Sequence, residues 1–217
     1  MLTNQKGELM QITVFGATGR IGTHVVRQAL DAGHKVVAVV RDPARLDVAA
    51  TPALRVHTAA VLDPESITPA VDGADAVVSA LGPHGRGPTT VCSDGTRAEL
   101  AAMAATGVRR LVVVSANGAY VDAGDNLLNR LVVKPLLGRL LREGFTDTRR
   151  SDDQVRASGT DWTIMRPPRL TDGPHRRYRT ALDRNIGITI ARTDVAAAIL
   201  AVLADDTTIR HTVGVGY

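Results

Sequence analysis

Short apolar runs alternate along the chain with segments in which apolar residues recur every three or four positions. Runs rich in valine and isoleucine are typical of buried strands, and longer periodic segments are typical of amphipathic helices. The runs predict strands at 12–15, 35–40, 54–58, 74–81, 110–115 and 162–165. The periodic segments predict helices after residue 22 and at 64–71, 89–106, 148–158 and 193–203.

The last part of the chain is less regular. Apolar helical segments at 127–141 are broken near Pro135, and short strands are predicted at 178–182, 186–190 and 211–215.

Strands that alternate with helices predict an α/β fold, a doubly wound (Rossmann-like), mostly parallel sheet flanked by helices on both faces. We expect a flexible tail at 1–9 and a single domain at 10–217, with segments around 117–143 and 168–190 covering the substrate side.

The stretch Ile12 to Gly22 joins the first strand to the first helix and contains three glycines, Gly16, Gly19 and Gly22. Backbone without side chains can approach a diphosphate closely, and the N–H groups and dipole of a helix N-terminus attract its charge. The stretch therefore predicts a dinucleotide site. The alternative is a glycine-rich turn that only lets helix and strand pack closely.

Composition narrows the class of partner. The formal net charge is +4 and the pI is about 9.7, but arginines are scattered and no basic run is interleaved with aromatic residues, which argues against nucleic acid. Cys92 is the only cysteine, so a disulfide within the chain and a cysteine-based zinc site are excluded. The start of the chain is too polar for a signal peptide, and no apolar run is long enough to span a membrane. We expect a cytoplasmic protein.

Histidines and arginines offer weaker signals. The six histidines show no two-in-a-turn spacing with a carboxylate partner, so no metal site is predicted. His84 and Arg86, in the loop after the fourth strand, are candidates for contact with substrate, although such loops are usually only mobile. A basic cluster near the expected pocket mouth either meets an anionic substrate or is a solvated face; its members are Arg169, Arg176, Arg177 and Arg179.

Five motifs together resemble the atypical short-chain dehydrogenase/reductases with an NAD(P)H-binding (NmrA-like) fold, and most closely the flavin reductase and biliverdin reductase B type. The resemblance covers nearly the whole chain. The motifs are Gly16-Ala-Thr-Gly-Arg-Ile-Gly22, Val40-Arg-Asp-Pro-Ala-Arg45, Pro88-Thr-Thr-Val-Cys-Ser-Asp-Gly95, Val113-Val-Ser-Ala116 and Met165-Arg-Pro-Pro168.

The resemblance implies a role for residues at the end of each strand. The cofactor diphosphate would meet the glycine loop, at Gly16, Thr18, Gly19, Arg20 and Ile21. The adenosine ribose and its 2′-phosphate would meet Arg41 and Arg45. The nicotinamide ribose would border Leu81 and Gly82, the nicotinamide would lie beside Ser115, and the carboxamide would be held by Pro167 and Pro168.

Two positions depart from the family pattern. Ala60 and Val61 stand near the adenine, where such proteins often carry an aspartate, so that hydrogen bond is not expected. Arg169 stands beside the substrate pocket, where flavin reductases tend to have a histidine. The first departure bears on cofactor affinity and the second on substrate identity.

Candidate chemistry centres on Ser115. The Tyr-x-x-x-Lys pair of many short-chain dehydrogenases, in which lysine lowers the tyrosine pKa, is missing, because Tyr120 is followed four positions later by Gly124 and Tyr178 by Leu182. Ser115 ends a parallel strand and either positions or protonates substrate, or bonds its own loop. Tyr120 either lines the substrate space or lies at the surface.

These features favour an NADPH-dependent oxidoreductase that passes hydride to a flavin-like conjugated small molecule. Arg41 follows the second strand, at the position where NAD-specific sites place an acidic residue, so the sequence predicts a preference for NADP(H) over NAD(H). If Asp42 turned inward instead, it would favour NAD(H). The alternative is a non-catalytic NADP(H)-binding redox sensor of the NmrA-like kind, and an isomerase is third. We expect a monomer or a weak homo-oligomer.

Overall fold

The structure, a computed structural model, describes residues 9–83, 87–122, 127, 131 and 134–217. Its strands are β1 (Gln11–Phe15), β2 (Lys35–Val40), β3 (Leu54–Thr58), β4 (Ala76–Ser79), β5 (Arg110–Val114), β6 (Asp161–Arg166), β7 (Arg169–Thr171), β8 (Arg179–Leu182), β9 (Thr189–Ala191) and β10 (His211–Gly216). Its α-helices are α1 (Gly22–Asp31), α2 (Pro64–Val71), α3 (Val91–Thr106), α4 (Lys134–Leu140), α5 (Arg142–Ala157) and α6 (Arg192–Leu203).

Eight strands form one sheet in the order β3-β2-β1-β4-β5-β6-β10-β8. All neighbours run parallel up to β10, and the edge strand β8 is antiparallel to β10. The strand order reverses direction at β1, where the chain next crosses to β4 rather than continuing outward. The predicted doubly wound, mostly parallel fold is therefore confirmed.

The two faces of the sheet carry separate apolar layers. In β2, Val36, Ala38 and Val40 pack toward α1 and α6, while Val37 and Val39 pack toward α2, α3 and α5. A strand that is covered on both faces has no solvent-exposed side, which explains why the sequence of β2 is an uninterrupted apolar run after Lys35.

Helix α5 and strand β7 differ from the sequence-based expectation. Helix α5 begins at Arg142, six residues before the predicted start at 148. The apolar pattern did not indicate this start, because polar side chains rather than apolar ones fill much of the buried face of the helix. The strand β7, which was not predicted, pairs in parallel with β9 in a separate two-stranded sheet. Most of the predicted helical segment before Pro135 lies outside the described residues, as do residues 1–8 of the predicted tail.

No helix within the described ranges combines the length and apolar character needed to cross a bilayer.

Candidate functional site

The parallel strands bring the predicted site residues to one edge of the sheet. Gly16 follows β1 directly, Arg41 follows β2, Ser115 follows β5 and Pro167 follows β6, while Gly82 lies shortly beyond β4. Since carboxyl ends of parallel strands share an edge, all five lie along the crevice where such sheets bind ligands.

The glycine loop after β1 is tight. Gly16 has a φ of +72°, and a Cβ there would lie 2.5 Å from the Ala80 carbonyl oxygen at the end of β4. A Cβ on Gly22 would lie 2.1 Å from the Gly16 carbonyl oxygen, and the Gly19 N–H donates to that same oxygen at 2.8 Å. The loop therefore needs glycine for its own backbone contacts, and it leaves a bare surface for a diphosphate.

The N-terminus of α1 is open. Its cap position is Ile21, which supplies no side-chain hydrogen bond, and its first turn carries no acidic residue. By contrast, Asp63 caps α2, and Asp147 accepts the first N–H groups of α3. An uncapped helix start beside a glycine loop is a ready site for an anion, so the residues fit the diphosphate of a dinucleotide.

Arg20, which the resemblance places at the diphosphate, pairs with Asp172 after β7. The other oxygen of Asp172 accepts from Arg192 on α6 at 2.7 Å. The Arg20–Asp172 pair is largely exposed, with side chains 65% and 62% accessible, and pairs this exposed contribute little to stability. Arg20 can therefore exchange its partner for a phosphate at small cost.

At the end of β2, both predicted arginines are exposed and make no ion pair with any described residue; they are Arg41 and Arg45. The Asp42 carboxylate accepts from the Ala44 N–H at 3.0 Å and caps the short 3₁₀ turn Pro43–Arg45. Asp42 is thereby turned back onto its own loop. Val61, after β3, is buried in the apolar layer and offers no polar side chain for an adenine.

Leu81, after β4, packs onto α3 across Gly95. A Cβ at Gly95 would lie 2.3 Å from the Leu81 Cδ1 atom, which gives a physical reason for glycine at the end of the Pro-Thr-Thr-Val motif. Gly82 has nothing within 4 Å of its Cβ position. His84 and Arg86 lie outside the described residues.

Ser115 is held between two elements. Its N–H donates to the Met165 carbonyl at 2.8 Å, and its Oγ donates to Asp152 Oδ2 on α5 at 2.9 Å. Ser115 therefore bonds a carboxyl group on a helix rather than its own loop. Asp152 is fully buried, and burial raises the pKa of its carboxyl group above the usual range, against the opposing effects of the Tyr120 and Ser115 hydroxyls and of Arg166 and Arg156.

Tyr120 lies beside this pair under an arginine. The Arg166 guanidinium carbon is 3.6 Å from the centroid of the Tyr120 ring, and the buried phenolic oxygen has no hydrogen-bond partner among the described residues. Burial raises the pKa of the Tyr120 phenol, and the nearby Asp152 carboxyl group raises it further. Lys134 Nζ donates to the Tyr120 carbonyl oxygen at 2.6 Å rather than contacting the phenol. The fold therefore does not rebuild a tyrosine–lysine pair in which lysine lowers the tyrosine pKa.

The loop after β5, helix α4 and the start of α5 enclose a cleft of about 530 Å³. Its described lining includes no carboxylate but includes four cationic side chains, from Lys134, Arg139, Arg142 and Arg149. Arg149 donates to the Ala119 carbonyl oxygen and so helps to shape the loop. Sequence reasoning missed this basic cleft because its members are spread over two helices.

The remaining predicted residues occupy the β6 end. Pro167 is buried and its carbonyl oxygen accepts from the Asn117 N–H at 3.0 Å, which ties the two strand ends together. Pro168 is half-buried and Arg169 is exposed at the start of β7.

Two histidines have carboxylate partners that their spacing did not reveal: His175 pairs with Asp194, and His211 with Asp183. No cluster of three metal-ligating side chains is found in the part of the chain that the structure describes.

The sheet order, the glycine loop and the open helix start define a Rossmann-type dinucleotide-binding domain. Residues 16–206 match the NAD(P)H-binding family, and the chain belongs to that family. It is 30% identical to UPF0659 protein YMR090W of Saccharomyces cerevisiae, over 94% of this chain and 92% of that protein. It is 28% identical to the uncharacterized sugar epimerase YhfK of Bacillus subtilis, over 92% of this chain and 90% of that protein.

Solved structures show the same fold. A wide-type short-chain dehydrogenase/reductase from Veillonella parvula, in complex with NADP, superposes with a TM-score of 0.78 at 20% identity, over 96% of this chain and 94% of that chain. A putative exported protein from Burkholderia pseudomallei superposes with a TM-score of 0.79 at 27% identity, over 96% and 100% of the two chains. The family match gives this chain an NAD(P)H-binding domain, and the two solved structures show the fold that forms it.

Proposed function

We propose that this protein is a reductase of the flavin reductase type, which uses NADP(H) in preference to NAD(H) and reduces a conjugated small molecule with an anionic group. The observation that carries the proposal is the position of Ser115, a buried hydroxyl at the carboxyl end of β5, two strands from the glycine loop on the same sheet edge. A bound nicotinamide dinucleotide would supply the hydride.

The surroundings of Tyr120 favour a conjugated acceptor over a ketone. Carbonyl reduction of the common kind needs a phenol that readily gives up its proton, whereas burial and Asp152 raise the Tyr120 pKa. A conjugated ring such as a flavin can take its proton from solvent after the hydride arrives. Ser115 then needs only to position the acceptor and donate a hydrogen bond to it. The same lack of a tyrosine–lysine pair counts against an epimerase.

The test is NADPH oxidation with a panel of flavins, quinones and tetrapyrroles, beside a fluorescence titration of NADPH binding. Turnover with at least one of these acceptors supports the reductase. Tight NADPH binding without turnover on any of them would reject the reductase and favour the redox sensor of the NmrA-like kind.

Cofactor preference gives a direct prediction for Arg41. A guanidinium with no ion-pair partner among the described residues can bind a 2′-phosphate by charge-assisted hydrogen bonds, each worth about 1.5–3 kcal/mol. Arg41→Ala should therefore raise the Kd for NADPH by roughly tenfold or more and leave the Kd for NADH unchanged. Arg109→Ala removes an exposed arginine at the opposite edge of the sheet and is the control. Equal affinities of the wild type for the two cofactors would refute the preference.

The anionic group of the acceptor gives a second prediction, for Arg169. If this exposed guanidinium pairs with the phosphate of FMN, FMN should be reduced with a higher kcat/KM than riboflavin, and Arg169→Ala should narrow the gap by roughly tenfold or less. Arg142→Ala, which removes a cation from the basic cleft, is the matched comparison. A gap that persists in Arg169→Ala and closes in Arg142→Ala would place the anion in the cleft instead.

A further inference from the structure

The Ser115 hydroxyl has one side-chain partner among the described residues, the carboxyl group of Asp152. The two residues are 37 positions apart and are brought together by the packing of α5 beside the end of β5. Ser115 is 8% exposed and Asp152 is fully buried, so water competes little for this hydrogen bond.

The protonation state of Asp152 decides which of the two oxygens donates. An ionised carboxylate can only accept hydrogen bonds, so the single donor of the Ser115 hydroxyl is then used in the hydrogen bond to Asp152. A neutral carboxyl group can donate from Oδ2 to Ser115 Oγ, and the serine hydroxyl is then free to turn elsewhere. The distance of 2.9 Å suits either direction.

We propose that Asp152 is a positioning residue that switches Ser115 between donating inward, to the carboxylate, and donating outward, to the acceptor. The inference rests on the proposed function, since the acceptor is the molecule that a reductase would reduce. An outward donor stabilises the negative charge that develops on the acceptor, whereas an inward donor leaves only oxygen lone pairs facing it.

The groups that face Asp152 from each packed element act in opposite directions. Arg156 on its own helix lies 3.8 Å from Oδ2 and Arg166 on β6 lies 3.4 Å from it, and both favour the carboxylate. Burial favours the neutral form and is the largest effect, so the pKa of Asp152 is raised. The Tyr120 and Ser115 hydroxyls also face Asp152 and favour the carboxylate, whereas Asp152 Oδ1 is buried without a hydrogen-bond partner among the described residues.

The first test needs no turnover. The carboxyl carbon of Asp152 is followed by NMR against pH in aspartate-labelled protein, with Asp152→Asn used to assign the signal. We expect a midpoint above the ordinary value of about 3.9, and a further rise of roughly one unit in Ser115→Ala, because the lost hydrogen bond had favoured the carboxylate. A midpoint at or below about 4, or one that Ser115→Ala leaves in place, would overturn the proposal.

The second test is the pH dependence of kcat. In the wild type, kcat should fall as pH rises through the Asp152 midpoint, by roughly tenfold, which is the effect of one lost hydrogen bond of about 1.4 kcal/mol. Asp152→Asn should keep the faster rate at alkaline pH, since an amide cannot ionise, and it should have no effect in a Ser115→Ala background. Glu143→Gln, at an exposed carboxylate in the first turn of the same helix, is the control and should behave as wild type.

The outcomes separate the two proposals. A pH profile unchanged by Asp152→Asn would refute the switch in a working reductase. A wild type that binds NADPH but reduces no acceptor would refute the reductase, while the NMR titration would still decide whether the Ser115 hydrogen bond and the ionisation of Asp152 are coupled.

Discussion

Replacing Gly22 with alanine is expected to abolish NADPH binding and to lower the free energy of unfolding by about 3 kcal/mol or more. The added Cβ would lie 2.1 Å from the Gly16 carbonyl oxygen, 2.8 Å from its carbonyl carbon and 3.0 Å from the Ala17 Cα. All three are backbone atoms of the glycine loop, so no side-chain rotation relieves the contact. The loop must move, and the diphosphate cradle moves with it.

Gly159→Ala is the matched control, because its Cβ would have nothing within 4 Å and its φ is not positive. Chemical denaturation measures the stability of each variant, and a fluorescence titration measures its affinity for NADPH. A Gly22→Ala protein that binds NADPH as the wild type does would contradict both the cradle and the position of the cofactor.

Elements with an unambiguous apolar pattern could be predicted to the residue. β2 is covered on both faces, so its limits coincide with its apolar run. The limits of α2 follow from local signals: Asp63 accepts from the Glu65 N–H as the cap, and Pro64 occupies the first helical position, where a missing N–H is harmless.

The interface between α3 and α5 could not be predicted from apolar periodicity, because polar groups form much of it. Ser93 Oγ donates to Asp147 at 2.6 Å, and the hydroxyls of Thr96 and Ser151 lie 2.7 Å apart. Such residues count as surface in a hydrophobicity pattern, yet here each has a buried partner. The only sequence feature that could have indicated this interface is the spacing of small and acidic residues along α5. The buried positions of the helix are Asp147, Thr148, Ser151, Asp152 and Val155.

The candidate site likewise contains residues that the sequence pattern could locate and a residue that it could not. The glycine loop and Ser115 could be found because each directly follows an apolar run, and parallel strands place such positions on one edge. The partner of Ser115 could not be found, because Asp152 stands in a charged stretch of the sequence and reaches the site only when α5 packs against the sheet. Local pattern thus locates the residues that strands present, and tertiary packing decides what surrounds them.

The buried Glu99 side chain is expected to make the protein less stable as pH rises from about 4.5 to about 8. Glu99 on α3 is fully buried, its Oε1 accepts from the Ser79 hydroxyl at 2.9 Å, and its Oε2 has no partner within the described part of the chain. Burial raises its pKa from the ordinary value of 4.5 to about 8. Below pH 4.5 both the folded and the unfolded chain carry the proton, so this group then opposes folding least.

Between those two values the unfolded chain ionises while the folded chain keeps its proton, so stability falls by about 1.4 kcal/mol per pH unit and by roughly 4–5 kcal/mol in all. Glu99→Gln keeps the size and the acceptor for Ser79 but cannot ionise, so it should be several kcal/mol more stable than the wild type at pH 8. Denaturant unfolding of both proteins from pH 4 to pH 9 tests this, with the exposed Glu65→Gln as control. Asp152 contributes a slope of the same sign in both proteins, so their difference isolates Glu99. If that difference stays constant with pH, Glu99 is not held neutral by its burial.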